Sequence, residues 1–381
     1  MEDVVDKLRR TFRGSNVLVT GHTGFKGAWL CEWLLSLGAR VTGFALAPQS
    51  NETCFEKLNL GQRIDRHVIG DVREFSLVEN VLREATPSFV FHLAAQALVS
   101  VSYEDPLQTY STNLLGTAHI LEALRRIGRS CVAVVITSDK CYENQNRPEP
   151  YHEGDPLGGS DPYSSSKACA ELVCASYRRS FFSEHRPIAL ASARAGNVIG
   201  GGDRSRDRIV PDCIRALRSK RTVVVRNPGF VRPWQHVLEP LAGYLTLAAE
   251  IGFALREDDN SRLDQLCSAF NFGPRTHSSR TVRELVEKIL TIWPGTWEDG
   301  RNLNAPYEAH RLTLASEKAE RILGWRPVWS FEESVHNTIE WYRTAEQPAN
   351  QMQKFTQEQI EAFVQASQAN ARLRRHEMPI R

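Results

Sequence analysis

Tyr163 and Lys167 stand four residues apart, so on a helix a phenol and an ammonium share one face. A positive neighbour favours the phenolate. A phenol so tuned can take a proton from an alcohol while hydride leaves the same carbon. Upstream, Thr137 ends an apolar run and can orient the reacting hydroxyl. Such a reaction needs a hydride acceptor held close by.

Gly21, Gly24 and Gly27 offer a place for one. They lie between the β-branched run 16–20 and a stretch, 28–37, with apolar residues at helical spacing, closed by Gly38. Gly21 permits a tight turn, Gly24 lets backbone approach a pyrophosphate, and Gly27 lets helix and strand pack closely. The helix start supplies amide donors and the positive end of its dipole. A dinucleotide is therefore expected against Gly21, Thr23, Gly24, Phe25, Lys26 and Gly27. The second strand ends Gly43-Phe44-Ala45-Leu46-Ala47-Pro48, with no carboxylate for an adenosine ribose and no arginine for a 2′-phosphate. That leaves NAD and NADP both open at this position. Asp71, after the next strand and followed by Val72, is placed to meet the adenine amino group.

The elements that must position these groups follow from periodicity. Strands are expected at 16–20, 41–46, 67–70, 89–94, 131–137 and 188–194, with helices at 28–37, 77–84, 111–126 and 164–180. Alternating strands and helices, with the strands apolar on both faces, predict an α/β fold with a doubly wound parallel sheet of Rossmann type. Ligands in such sheets bind at the carboxyl ends of strands. Five places qualify: 21–27, Asp71, 94–96, 137–140 and 194–197. Beyond about residue 200 the alternation weakens and Pro and Trp become frequent. Helices are expected at 211–218, 240–250, 282–292, 316–323 and 331–343. The expected division is a dinucleotide domain over 1–198, a smaller C-terminal substrate lobe over 199–345, and a polar extension over 346–381 with one short amphipathic helix near 357–364.

Composition sets the class. The chain has 381 residues, 41% hydrophobic and 24% charged, which excludes disordered, collagen-like and coiled-coil proteins. Its net charge of +2 gives no electrostatic case for nucleic-acid binding. No run approaches the length of a membrane span, and residues 1–10 do not read as a signal peptide. The eight cysteines form no C-x-x-C pair and sit mostly in apolar segments, which predicts reduced thiols in a cytoplasmic protein and no metal site.

The glycine turn, Asp71, His92-Leu93-Ala94-Ala95-Gln96, Asn113 and the Tyr163/Lys167 pair resemble the extended short-chain dehydrogenase/reductase superfamily over roughly residues 14–345. Within it, the sequences at 21–27, 137–142, 161–163, 193–203 and 232–237 are similar to those of the nucleotide-sugar 4,6-dehydratases that act on CDP-glucose. The resemblance implies NAD as cofactor and a nucleotide-diphosphate sugar, CDP-glucose, as substrate. It places Ala94, Ala95, Gln96 and Asn113 with Tyr163 and Lys167 at the cofactor. It places Arg194, Asn197, Arg232 and His236 at the substrate, with Glu308 in the nucleotide site. It makes Asp139 the acid for a departing 6-hydroxyl and Lys140 the base at C5. The assembly it implies is a homodimer or a dimer-based tetramer, with an outward face of the 164–177 helix meeting its copy. Arg204, Arg206 and Arg208 can be solvated or ligand-binding. Two readings compete: an epimerase or reductase on another nucleotide sugar, and a catalytically silent NAD-binding interaction protein.

Overall fold

Seven short strands form one parallel sheet. They are β1 (Asn16–Thr20), β2 (Arg40–Ala45), β3 (Arg66–Ile69), β4 (Phe89–His92), β5 (Cys131–Ile136), β6 (Ile188–Arg194) and β7 (Ala269–Asn271). Their order is β7-β6-β5-β4-β1-β2-β3, with Val17 opposite both Val41 and Phe89, and Cys131 opposite Ile188. The order reverses between β1 and β4, which opens a crevice beyond their carboxyl ends. This computed structural model describes residues 4–48, 50–183, 187–275, 279–300 and 312–377.

Successive side chains on a strand point to opposite faces, so a sheet covered on both sides needs apolar residues at every position. Val17, Val19, Phe89, Phe91, Val132 and Val134 enter one core. Leu18, Val90, Ala133 and Val135 enter the other. The helices that cover them are α1 (Val4–Phe12), α2 (Phe25–Ser36), α3 (Phe75–Ala85), α4 (Gly116–Ile127), α5 (Pro162–Ser180), α6 (Leu238–Arg256), α7 (Phe331–Thr344) and α8 (Ala349–Glu377). The doubly wound α/β fold expected from the sequence is the fold observed. One helix, α6, is long and apolar enough to cross a membrane by composition alone. It is a core helix here, buried along most of its length.

Two elements depart from expectation. The segment 111–126, read as one helix, divides into a π-helical turn at Ser111–Leu115 followed by α4. The polar extension is one 29-residue helix, α8. A narrow stripe of Met352, Thr356, Ile360 and Phe363 is buried on it. Phe363 meets Trp33 and Trp329 edge-on, Trp341 donates to the Thr356 hydroxyl, and Gln357 donates to Glu32 on α2. Tertiary burial of a few residues stabilises a helix whose composition is otherwise polar. Residues between 199 and 345 also return to the main sheet, because β7 pairs with β6.

Candidate active site

The glycine turn is built on two close approaches. Gly21 takes φ 73°, and a Cβ there would stand 2.7 Å from the Ala94 backbone nitrogen. A Cβ on Gly27 would overlap the Gly21 carbonyl. Only glycine lets β1 run this close to β4, and α2 this close to β1. Gly24 caps α2 without a side chain, which leaves first-turn amides for an outside acceptor. Thr23 donates its hydroxyl to the Leu46 carbonyl at 2.9 Å, fastening the turn to the end of β2. Phe25 packs beside Gly200. Lys26 is half-buried and faces Arg208, Asp139, Lys167 and Asp203. Burial and Arg208 lower its pKa to about 7, against the pull of Asp139.

Asp71 ends its strand as expected, but its carboxylate is already engaged. Arg73 donates to it from Nε, Nη2 and the backbone nitrogen, and that arginine holds the carboxyl below its ordinary range. The Val72 carbonyl faces the His119 ring at 2.8 Å. Ala94 donates its amide to Thr20, which lies 2.7 Å from the buried His92 ring; Ala95 follows it at the strand end. Asn113 sits in the π-helical turn and bridges elements: its Oδ1 accepts from the Gln96 amide, and its Nδ2 donates to the Gln96 carbonyl and to the Ser166 hydroxyl. It fixes the end of β4 against α5. Gln96 turns its own amide to Leu98 and Thr109.

Pro162 in the first turn and the Asp161 cap on the Ser164 amide start α5. Tyr163 and Lys167 are both buried on it. Burial pushes the Tyr163 phenol up, while a hydrogen bond with Ser138 and the charge of Arg208 pull it down; the balance is upward. Burial brings Lys167 down to about 8. The hydroxyl whose hydrogen bond lowers the phenol belongs to Ser138, the neighbour of the expected Thr137. Thr137 turns the other way and donates to Glu171 Oε1 at 2.5 Å. Asp139 is buried and accepts from Ser138 at 2.9 Å and from Asn197 at 3.1 Å. Lys140 follows it in a single 3₁₀ turn and is half-buried.

The expected substrate residues separate. Asn197 reaches Asp139. Arg232 is buried, donates to the Val231 carbonyl and stands 5.1 Å over the Phe230 ring. Arg194 does not face the crevice: it is buried, paired with Glu171 at 2.8 Å, and donates to the Tyr142 hydroxyl and the Glu153 carbonyl. His236 is fully buried between Trp29 and Trp329, with Nε2 unpartnered, so it belongs to the core. Arg194 ends β6, with its side chain turned to Glu171 on α5, whereas His236 lies outside the main sheet, in a short pairing with Ile199. Glu308 lies outside the described residues. Of the three arginines after Gly202, Arg204 pairs with Glu52 and Arg206 with Glu104. Arg208 bridges Asp203 and the Ala97 carbonyl beside β4.

Residues 18–338 match the family described as GDP-mannose 4,6 dehydratase. The chain belongs to that family. It is 44% identical over 339 residues to the CDP-glucose 4,6-dehydratase of Salmonella typhimurium, covering 87% of this chain and 91% of that protein. A dTDP-glucose 4,6-dehydratase of Xanthomonas campestris is 25% identical over 347 residues, covering 86% and 93%. Among solved structures, the UDP-glucose 4-epimerase of Thermus thermophilus in complex with NAD superposes with TM-score 0.70 at 27% identity, covering 86% of this chain and 98% of that one.

In this member of the GDP-mannose 4,6 dehydratase family, the geometry also brings forward residues that the sequence pattern passed over. Ser138 is next to an assigned residue, and strand alternation is the signal that separates the two: adjacent side chains at a strand end point to opposite faces. Glu171 continues the spacing of Tyr163 and Lys167 by four residues, which a helical-face count would have found. Lys26, expected at a cofactor, also faces Asp139 at the β5 end, Lys167 on α5, and Asp203 and Arg208.

Proposed function

We propose that this chain is a CDP-glucose 4,6-dehydratase with a resident NAD. The observation that carries the reading is the strand end Ser138-Asp139-Lys140 set against Tyr163, in a chain 44% identical to a CDP-glucose 4,6-dehydratase. NAD fits the crevice, because the uncapped start of α2 and the side-chain-free turn at Gly21 and Gly24 suit a pyrophosphate. Gly21, Thr23, Gly24, Phe25, Lys26 and Gly27 would hold it, with Asp71 and Val72 toward adenine, and Ala94–Gln96, Tyr163 and Lys167 toward the nicotinamide ribose. NAD held there would supply the hydride acceptor for C4 and the hydride donor for C6.

Tyr163 takes the proton of the sugar 4-hydroxyl, with Ser138 holding that hydroxyl and Lys167 stabilising the phenolate. The resulting C4 ketone acidifies C5. Lys140 removes the C5 proton while Asp139 gives a proton to the departing 6-hydroxyl, and water leaves across C5–C6. Lys140 then gives its proton back to C5. Arg232 suits the diphosphate, and Asn197 would hold Asp139 through its hydrogen bond. Glu308 is kept as a nucleotide contact on resemblance alone. An epimerase needs no elimination pair, so a buried Asp139 followed by Lys140 favours the dehydratase.

The assembly we propose is a homodimer. Leu107, Leu115 and Leu172 are 80%, 51% and 57% exposed on segments that contact one another, apolar surface suited to a two-fold contact. Free cysteines throughout fit a cytoplasmic location. The test is incubation with catalytic NAD and a panel of CDP-, dTDP-, GDP- and UDP-hexoses. CDP-glucose should give a 4-keto-6-deoxy product with no net reduced cofactor. Stoichiometric reduced cofactor would instead make the protein a plain sugar dehydrogenase.

A further inference from the structure

Tyr163, Lys167 and Glu171 lie at four-residue spacing along one face of α5. Glu171 is 1% exposed, a position where an unpaired carboxylate is costly. It is fully met. Thr137 donates to Oε1 at 2.5 Å, while Ser192 and Arg194 each donate to Oε2 at 2.8 Å. Burial works against its charge, and Arg194 with these hydrogen bonds outweighs burial, holding the carboxyl below its ordinary range. The donors come from three places: the end of β5, the middle of β6 and the end of β6. One of them, Thr137, directly precedes Ser138, Asp139 and Lys140.

We propose that Glu171 is the positioning residue of the site, a buried anion that ties the strand end carrying Ser138, Asp139 and Lys140 to the helix face carrying Tyr163 and Lys167. The inference rests on the proposed roles of those five groups. Its physical content is twofold. The bond to Thr137 stops the end of β5 from sliding along α5, and small displacements of reacting groups cost large factors in rate. The negative charge also supports the ammonium of Lys167, one helical turn away. Lys167 faces Glu171 and Cys174 from its own helix, Cys141 from the 3₁₀ turn, Lys26 from the glycine turn and His92 from β4. Cys141 and Cys174 stay neutral, since burial raises both thiols. Lys26 is a like charge. Glu171 is thus the carboxylate among these neighbours that opposes the desolvation of Lys167.

Glu171→Gln keeps the shape and removes the charge. The direct measurement is the titration of Lys167 by NMR of protein carrying ¹³C at lysine Cε, assigned with Lys167→Met. The Lys167 midpoint should fall by about one unit in Glu171→Gln and stay within about 0.3 unit of the parent in Glu171→Asp. A midpoint unmoved in Glu171→Gln overturns the inference. This measurement needs no substrate, so failure to dehydrate any nucleotide hexose would remove the proposed function without deciding the role of Glu171, which the titration decides by itself. Where Glu171→Gln fails to fold, Thr137→Val and Thr137→Ser decide. The valine should lose about tenfold or more in kcat with KM within about twofold, and the serine should recover it. A valine variant that turns over like the parent overturns the inference.

Discussion

Asn197 donates from Nδ2 to Asp139 Oδ2 across 3.1 Å, from a backbone held at φ 52°. The left-handed conformation is uncommon for a residue other than glycine, and here it aims the amide at the carboxylate. The preceding Gly196 completes the arrangement, because the Asp139 carboxylate fills the space where a Cβ of residue 196 would be. The group that must move in Gly196→Ala is the end of a short side chain, so the fold should survive. Asp139 should be displaced, and turnover should fall by about tenfold or more. Unchanged turnover in a folded Gly196→Ala protein, checked by circular dichroism and product assay, would remove Asp139 from the mechanism.

Tyr163→Phe removes one hydroxyl and should leave folding and NAD binding nearly intact. Turnover should fall by roughly a hundredfold or more, the range for a general base. Ser138→Ala should cost about tenfold or more, because it removes a hydrogen bond that lowers the Tyr163 phenol. Its acidic limb of kcat against pH should move upward. A Ser138→Ala profile that overlays the parent would return the orienting role to another hydroxyl.

Lys140→Met separates the two halves of the reaction. The stem volume is kept and the charge is lost. Oxidation at C4 should persist, so absorbance of enzyme-bound reduced cofactor should appear while 6-deoxy product does not. Parental product formation would show Lys140 to be a solvated lysine.

Acid should unfold the protein through its buried histidines. His22, His92 and His236 are at most 2% exposed. Burial is the largest cause that brings each from 6.5 down to about 3. The unfolded chain therefore binds up to three more protons than the native one between these values. Stability rises with pH across that window and is lost as pH falls below about 6.5, by up to about 4 kcal/mol per unit if all three count fully. Urea midpoints at pH 7.5, 6 and 5 should drop accordingly. His236→Leu should flatten the slope, and a urea midpoint independent of pH would show that these rings are protonated in the native state.

Leu172→Glu places a charge in the exposed apolar patch with Leu107 and Leu115. The parent should scatter light at twice the chain mass at micromolar concentration. The variant should shift to the monomer with its helix content unchanged. A monomeric parent would leave the patch without a partner copy.

The glycine spacing at 21–27, the apolar runs at 131–137 and 188–194, and the Tyr163/Lys167 pair are local patterns, and they determined the sheet, the dinucleotide crevice and the helix face of the reaction. Their physics is short-range: a turn, a strand period and a helical turn are set by neighbours in the chain. What the tertiary structure decided is where each side chain at a strand end points. Thr137 and Ser138 are adjacent and both hydroxylic, yet one is sealed against Glu171 and the other meets Tyr163. Arg194 and His236 carry suitable chemistry at suitable positions, but the first is claimed by Glu171 from α5 and the second by Trp29 and Trp329 from two other elements. The long helix α8 was hidden for the same reason, since its polar sequence becomes helical by burying Met352, Ile360 and Phe363 against residues far away in the chain. Long-range burial chooses the partner of each polar or weakly apolar side chain, and no local pattern carries that choice.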